Sequence, residues 1–165
     1  MATTLLWLFV INLGIALGAG LYEHTIVVPE WIGPGPDGLP HWDAEAARSA
    51  DTGRRFWVYV STVPLTLLTL ANLATAWRFK GPARRAWLVA AVAALADRAI
   101  TFGYFIPTMI RLMAASDSAE SVETAQLWSL LNHGRHLLVF GAWLAALRAL
   151  TLVQRRPGIT RQVQS

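Results

Sequence analysis

From Trp128 to His136 the chain reads Trp-Ser-Leu-Leu-Asn-His-Gly-Arg-His, within an apolar run long enough to cross a bilayer. An arginine near the midplane costs roughly 2.5–3.5 kcal/mol on insertion scales. A single arginine can snorkel toward the headgroups. Asn132, His133, Arg135 and His136 together cannot. They must face other helices, a wet cavity or a ligand, so chemistry is expected here.

Helical spacing sorts these groups. Positions three and four apart share a side, so Trp128, Asn132, Arg135 and His136 form one stripe, with His133 at its edge. A buried imidazole in a bilayer needs a partner and suits proton transfer or ligation. His133 and His136 also have the i,i+3 spacing of a bundle metal site, which Glu23 and His24 could complete.

The elements that position these residues follow from composition. The 165 residues are 55% hydrophobic and only 15% charged, where soluble domains carry roughly 25% charge. The fold class expected is all-α, an integral membrane four-helix bundle forming a single domain over 1–165. Four apolar segments, 5–22, 56–77, 86–106 and 125–153, each approach the roughly 20 residues a spanning helix requires. They lack the alternation of a barrel. The first is read as a retained helix and not a cleaved signal, because no Lys or Arg precedes it. With no cysteine, thiolate catalysis, disulfides and Cys-based metal centres are excluded. The net charge of +4 is sorted by membrane side and not gathered in a patch, so no nucleic-acid partner is expected.

Orientation follows from Lys and Arg in short loops. Arg78, Lys80, Arg84 and Arg85 lie between the second and third spans, and Arg155, Arg156 and Arg161 follow the fourth. This predicts cytoplasmic N- and C-termini in a multi-pass protein of the inner or plasma membrane. Every acidic residue except Asp97 falls on the other side. The long outer connection, 23–55, contains Gly33-Pro34-Gly35-Pro36-Asp37-Gly38, which cannot be regular helix. Asp43 then caps a short helix through Ala50. With Trp31, His41 and Trp42, this connection reads as a lid, or equally as an interfacial shield.

Three spans bring polar residues to one depth. The first ends at Glu23-His24. The third carries Asp97, Thr101, Tyr104, Thr108 and Arg111 at helical spacing, and the fourth begins with the Trp128–His136 stripe. Asp97 and Arg98 diverge by about 100° on their helix and are expected to pair with other helices, not with each other. Asn12 and Asn72 read as interhelical hydrogen bonds. Arg111 also fits an interfacial anchor, and Glu23 a solvated residue beyond the helix end.

At these residues the chain resembles the anthrone oxygenase-like family of small four-helix membrane proteins. Three patches carry the resemblance across most of the chain. They are Gly18-Ala19-Gly20-Leu21-Tyr22-Glu23 leading to Pro29-Glu30-Trp31, Ile106-Pro107-Thr108-Met109-Ile110-Arg111-Leu112, and Trp128 followed by Asn132-His133 and Arg135. Met109 departs from the Asn of many relatives. The resemblance implies oxygenation of a fused-ring anthrone to an anthraquinone, with dioxygen as co-substrate and no required organic cofactor. His136 or Glu23 would then be the base, and Arg135 and Asn132 would stabilise the developing oxyanion. Trp128 and Tyr104 would stack on the flat substrate, with Arg111 and Trp31 completing its surroundings.

The leading expectation is therefore a membrane-embedded oxidoreductase acting on a hydrophobic aromatic or quinoid molecule reached from the bilayer. Two other classes remain open. One is an accessory subunit of a membrane complex, or a homo-oligomer, whose polar cluster only locks helices together. The other is a metal- or haem-binding protein using His133, His136, His24 and Glu23.

Overall fold

Segments in hydrocarbon have no water to satisfy backbone groups and must close their hydrogen bonds internally. Accordingly, the computed structural model, which describes residues 2–35 and 38–155, is helical. Its described residues contain no strand, only an isolated bridge between Pro34 and Pro40. In chain order the helices are α1 (Ala2–Glu30), α2 (Ala44–Ala50), α3 (Gly53–Arg78), α4 (Arg84–Ala114) and α5 (Ala119–Gln154). All but the short α2 are long and apolar enough to cross a membrane. Pro36 and Asp37 of the expected loop, and Arg156 and Arg161 of the expected basic tail, lie outside the described residues.

The helices outrun the apolar segments. α1 continues past Tyr22 to Glu30, and α3 begins at Gly53, so the connection expected over 23–55 shrinks to 31–52. Likewise α4 and α5 extend beyond 86–106 and 125–153 at the same end of the bundle. The reason is physical: hydropathy marks where hydrocarbon ends, whereas a helix ends only where its hydrogen bonds are capped. Asp43 caps α2 as expected, its side chain accepting from the Ala46 N–H at 2.8 Å. Ser118 and Ser121 form a capping box that starts α5.

The spanning helices form a closed ring, α1 on α3, α3 on α4, α4 on α5 and α5 back on α1. Small residues allow close approach: Ala90 and Ala94 of α4, and Ala142, Ala146 and Ala149 of α5, are all buried. The end carrying the 31–52 connection is called here the loop end, and that carrying Arg78 to Arg85 the basic end. At the basic end the core comprises Leu6, Phe9, Leu13, Leu65, Trp87 and the alanines. A second apolar core at the loop end joins Val28, Trp31, Trp42, Phe105, Leu112 and Trp128. The polar residues lie between the two cores.

Two prolines shape this middle layer. α3 is π-helical over Gly53–Thr62, just before Pro64, and α4 over Thr101–Phe105, just before Pro107. Proline lacks the N–H that would bond four residues back, and the wider π turn accommodates the break. The Val60 carbonyl, which Pro64 cannot serve, accepts from Asn12 Nδ2 at 2.9 Å. As a result α3 and α4 pack at the basic end and part at the loop end.

Asn72 ties the basic end together, as the sequence suggests. Its Nδ2 donates to the Leu68 carbonyl at 2.8 Å, and its Oδ1 accepts from Trp87 Nε1 at 2.9 Å. Both residues are fully buried. Trp87→Phe keeps the ring but leaves Asn72 Oδ1 unpaired. The expected loss is about 1 kcal/mol, the scale of interhelical hydrogen bonds in membrane proteins, read as a lower unfolding temperature in detergent; an unchanged temperature would show that the bond contributes nothing.

Candidate functional site

Between the two cores lies a cavity of about 310 Å³, to which all four spanning helices contribute. From α1 comes Glu23, only 8% exposed. Its carboxylate accepts from Trp57 Nε1, at 2.9 Å to each oxygen, and from Thr52 Oγ1 at 2.5 Å. These donors explain how a carboxylate is tolerated at this depth: a buried charge needs hydrogen bonds to replace water. Glu23 is thus held in place and not solvated beyond a helix end.

α4 supplies Asp97, Arg98 and Thr101, all buried. Here an expectation is corrected. Asp97 and Arg98 bond to each other, Arg98 Nε donating to Asp97 Oδ2 at 3.0 Å and Nη2 to the same oxygen. Adjacent Cβ atoms do diverge, but the arginine stem is long enough to curl back, and pairing locally is the shortest way to neutralise both charges. Asp97 Oδ1 remains buried with no hydrogen bond.

α5 supplies Trp128, Arg135 and His136. Trp128 Nε1 donates to the Phe105 carbonyl at 3.2 Å, fixing α5 against the π turn of α4. The Arg135 guanidinium sits 4.8 Å over the Phe105 ring, a cation–π contact. Its Nη1 makes a long bond, 3.5 Å, to Thr101 Oγ1, while its Nε is buried and unpartnered. Arginine offers five donors, and most of these are unspent. His136 lines the cavity with Nε2 buried against Gly20, where a Cβ would lie only 2.6 Å away. Nε2 has no partner, and Nδ1 makes no hydrogen bond among the described residues. With Nε2 packed against Gly20, Nδ1 is the ring nitrogen left to meet a ligand. With His136 neutral, Glu23, Asp97, Arg98 and Arg135 balance in formal charge.

The remaining expected residues are distributed as follows. Trp31 lines the cavity beneath the connection. Asn132 is buried, its Oδ1 unpartnered, but it does not line the cavity. Tyr104 stands half-buried, edge-on to Phe105 at 5.2 Å, and also stays outside. The π turn explains this: its extra residue rotates the face, so Asp97 and Thr101 are followed by Phe105 and Met109 in place of Tyr104. Arg111 is exposed and donates to Thr108 of its own helix at 3.3 Å, away from the cavity. That geometry is an anchor's.

The histidines form a separate group. His24 meets His133 edge-on, centroids 3.9 Å apart, and lies 5.9 Å from His136. His133 is exposed and bonds through Nδ1 to its own Ser129 carbonyl at 3.3 Å. Among the described residues, no group of three or more His, Asp or Glu side chains converges in a metal-holding arrangement.

Sequence reasoning missed Trp57, Thr52, Phe105 and Met109. The signal for Trp57 in the sequence is its i,i+4 relation to Ser61, which is buried and also lines the cavity. Comparison with protein-family models, with curated proteins and with solved structures finds no match to the chain.

The contact between Gly20 and His136 can be tested directly. Gly20→Ala drives a methyl into Nε2 and is expected to cost about 1–3 kcal/mol, the range for overpacking a core. In a His136→Ala background the same change should be nearly neutral. A thermal double-mutant cycle in detergent checks this, and additive effects would mean that α1 does not hold the imidazole.

Proposed function

We propose that this protein is a membrane-embedded oxidoreductase of the anthrone oxygenase-like type. It acts on a hydrophobic aromatic or quinoid substrate in the cavity at the loop end of the bundle. The observation that carries this reading is the meeting of Arg135, His136, Asp97 and Glu23 around a cavity walled by Phe105, Trp57, Trp128 and Met109. A largely apolar cavity with a few convergent polar groups is the usual form of a small-molecule site. The basic loop between α3 and α4 supports cytoplasmic termini, which puts the site in the non-cytoplasmic half of a cell membrane.

An anthrone bears an acidic C–H beside its ring system. His136 takes that proton through Nδ1. Glu23 serves less well as base, because Trp57 and Thr52 already occupy its oxygens. The electrons left behind delocalise onto the ketone oxygen, which Arg135 receives with its unspent N–H donors. Dioxygen, the co-substrate, adds to the carbanion to give a hydroperoxide. Loss of water then leaves the quinone, so one anthrone and one dioxygen give one anthraquinone and one water. No resident cofactor is required.

The test is oxidation of anthrone by the purified protein in lipid vesicles, following quinone absorbance and oxygen uptake against the spontaneous rate. His136→Ala should lose about 10²–10⁴-fold, the span of general-base contributions. Arg135→Ala should lose about 10²–10³-fold, the cost of removing an oxyanion donor. Both should remain folded. A wild-type protein no faster than buffer, or variants at full rate, would overturn the assignment. Unfolding with no turnover to lose would favour the accessory-subunit reading instead.

A further inference from the structure

The cavity is roofed at the loop end and open on one flank. Trp42 anchors the roof to the end of α4, its Nε1 donating to the Leu112 carbonyl at 2.8 Å and its N–H to Asp117 Oδ1 at 2.9 Å. Trp31 and Trp42, both within the connection, are buried. Thr52, bonded to Glu23, ties the start of α3 to α1. On the flank, by contrast, the described loop-end halves of α3 and α4 make few contacts with each other. Val58 on α3 and Ile110 on α4 both line the cavity, yet are 38% and 62% exposed. They form a rim that touches the interior on one side and the surroundings of the bundle on the other.

The geometry points to a lateral portal between the loop-end halves of α3 and α4, through which a bilayer-dissolved aromatic amphiphile enters polar end first. This rests on the reading of the cavity as a binding site for a hydrophobic substrate. Chemistry grades along the path. Val58 and Ile110 at the rim are hydrocarbon, and Met109 and Met113 behind them offer thioethers, which favour aromatic rings and yield to different shapes. At the floor, Arg135 and Asp97 line the cavity, and Arg135 Nε and Asp97 Oδ1 are buried without a hydrogen bond. A bare lipid tail would leave both unpaired. An amphiphile whose head accepts one hydrogen bond and donates another satisfies both, as a phenol or hydroxy-ketone does. Pro64 and Pro107 are the covalent reason for the opening, since the π turns beside them splay the two helices at the same level.

Two photoprobes test the portal in phosphatidylcholine vesicles: free 4-hydroxybenzophenone, and a benzophenone fixed to the end of a phosphatidylcholine acyl chain. Both should label Met109 or Met113 in the full chain, read by peptide mass mapping. Val58→Trp and Ile110→Trp should each lose that label. Leu67→Trp should keep it, because Leu67 is 63% exposed and does not line the cavity. Should the tryptophan variants fail to fold, Val58→Ala combined with Ile110→Ala widens the gap and should raise labelling. The portal is overturned if the lipid-borne probe marks only outward residues such as Leu130 while the free probe still reaches Met109. It is equally overturned if the plugged variants label like wild type. A protein that labels at Met109 without oxidising anthrone retains the portal and loses the proposed reaction; the converse retains the reaction and loses the portal.

Discussion

Charge in hydrocarbon must be neutralised or hydrogen-bonded, and the middle of this bundle is arranged around that requirement. Asp97 is answered by its neighbour Arg98, and Glu23 by Trp57 and Thr52. Arg135 is only partly answered, by a long bond to Thr101 and the face of Phe105. Because the other charges are spent on each other or on local donors, Arg135 is the group with the most capacity left for a ligand. His136 stands beside it with no hydrogen bond at either nitrogen among the described residues. Asp97, Arg135 and His136 each keep a buried polar atom unpaired and line one cavity, unlike the network at Asn72 and Trp87, where donor and acceptor match.

Space for the cavity comes from backbone chemistry, not from small side chains alone. A regular helix at Gly53–Thr62 or at Thr101–Phe105 would carry α3 and α4 straight along each other, as they run at the basic end. Pro64 and Pro107 prevent this, and the π turns absorb the missing donors. The bundle is therefore tight where Ala90, Ala94, Ala142 and Ala146 meet and loose where the polar groups gather. The apolar core under Trp31 and Trp42 then caps the loose end, so the polar floor lies below a roof and beside an open flank.

Several of these features were legible in the residues. Arg135 and His136 were identified from their depth and spacing, and Glu23 from its position at the end of the first apolar segment. Tyr104 was misplaced because a 3.6-residue period was assumed across a turn that holds an extra residue. For the same reason Arg111 lies outward, in the anchor position it also fitted: past the π turn the inward face passes through Met109 and Met113. The bond between Asp97 and Arg98 was missed because Cβ directions alone do not limit a side chain as long as arginine. Trp57 was missed because an interfacial tryptophan and one that turns inward to bond a carboxylate look alike in sequence.

Composition and apolar length alone determined a helical chain with four segments able to cross a bilayer, since unsatisfied backbone is intolerable in hydrocarbon. They also led to the expectation that Asn132, His133, Arg135 and His136 point away from lipid, which the structure corrects for His133, an exposed side chain. Which of these groups share one cavity was decided only by tertiary structure. Asn132 is buried away from it, and Phe105 stands in for Tyr104, because the outcome depends on helix rotation and on where two prolines part their helices. Those are long-range properties, set by how separate spans pack and not by any local pattern of residues.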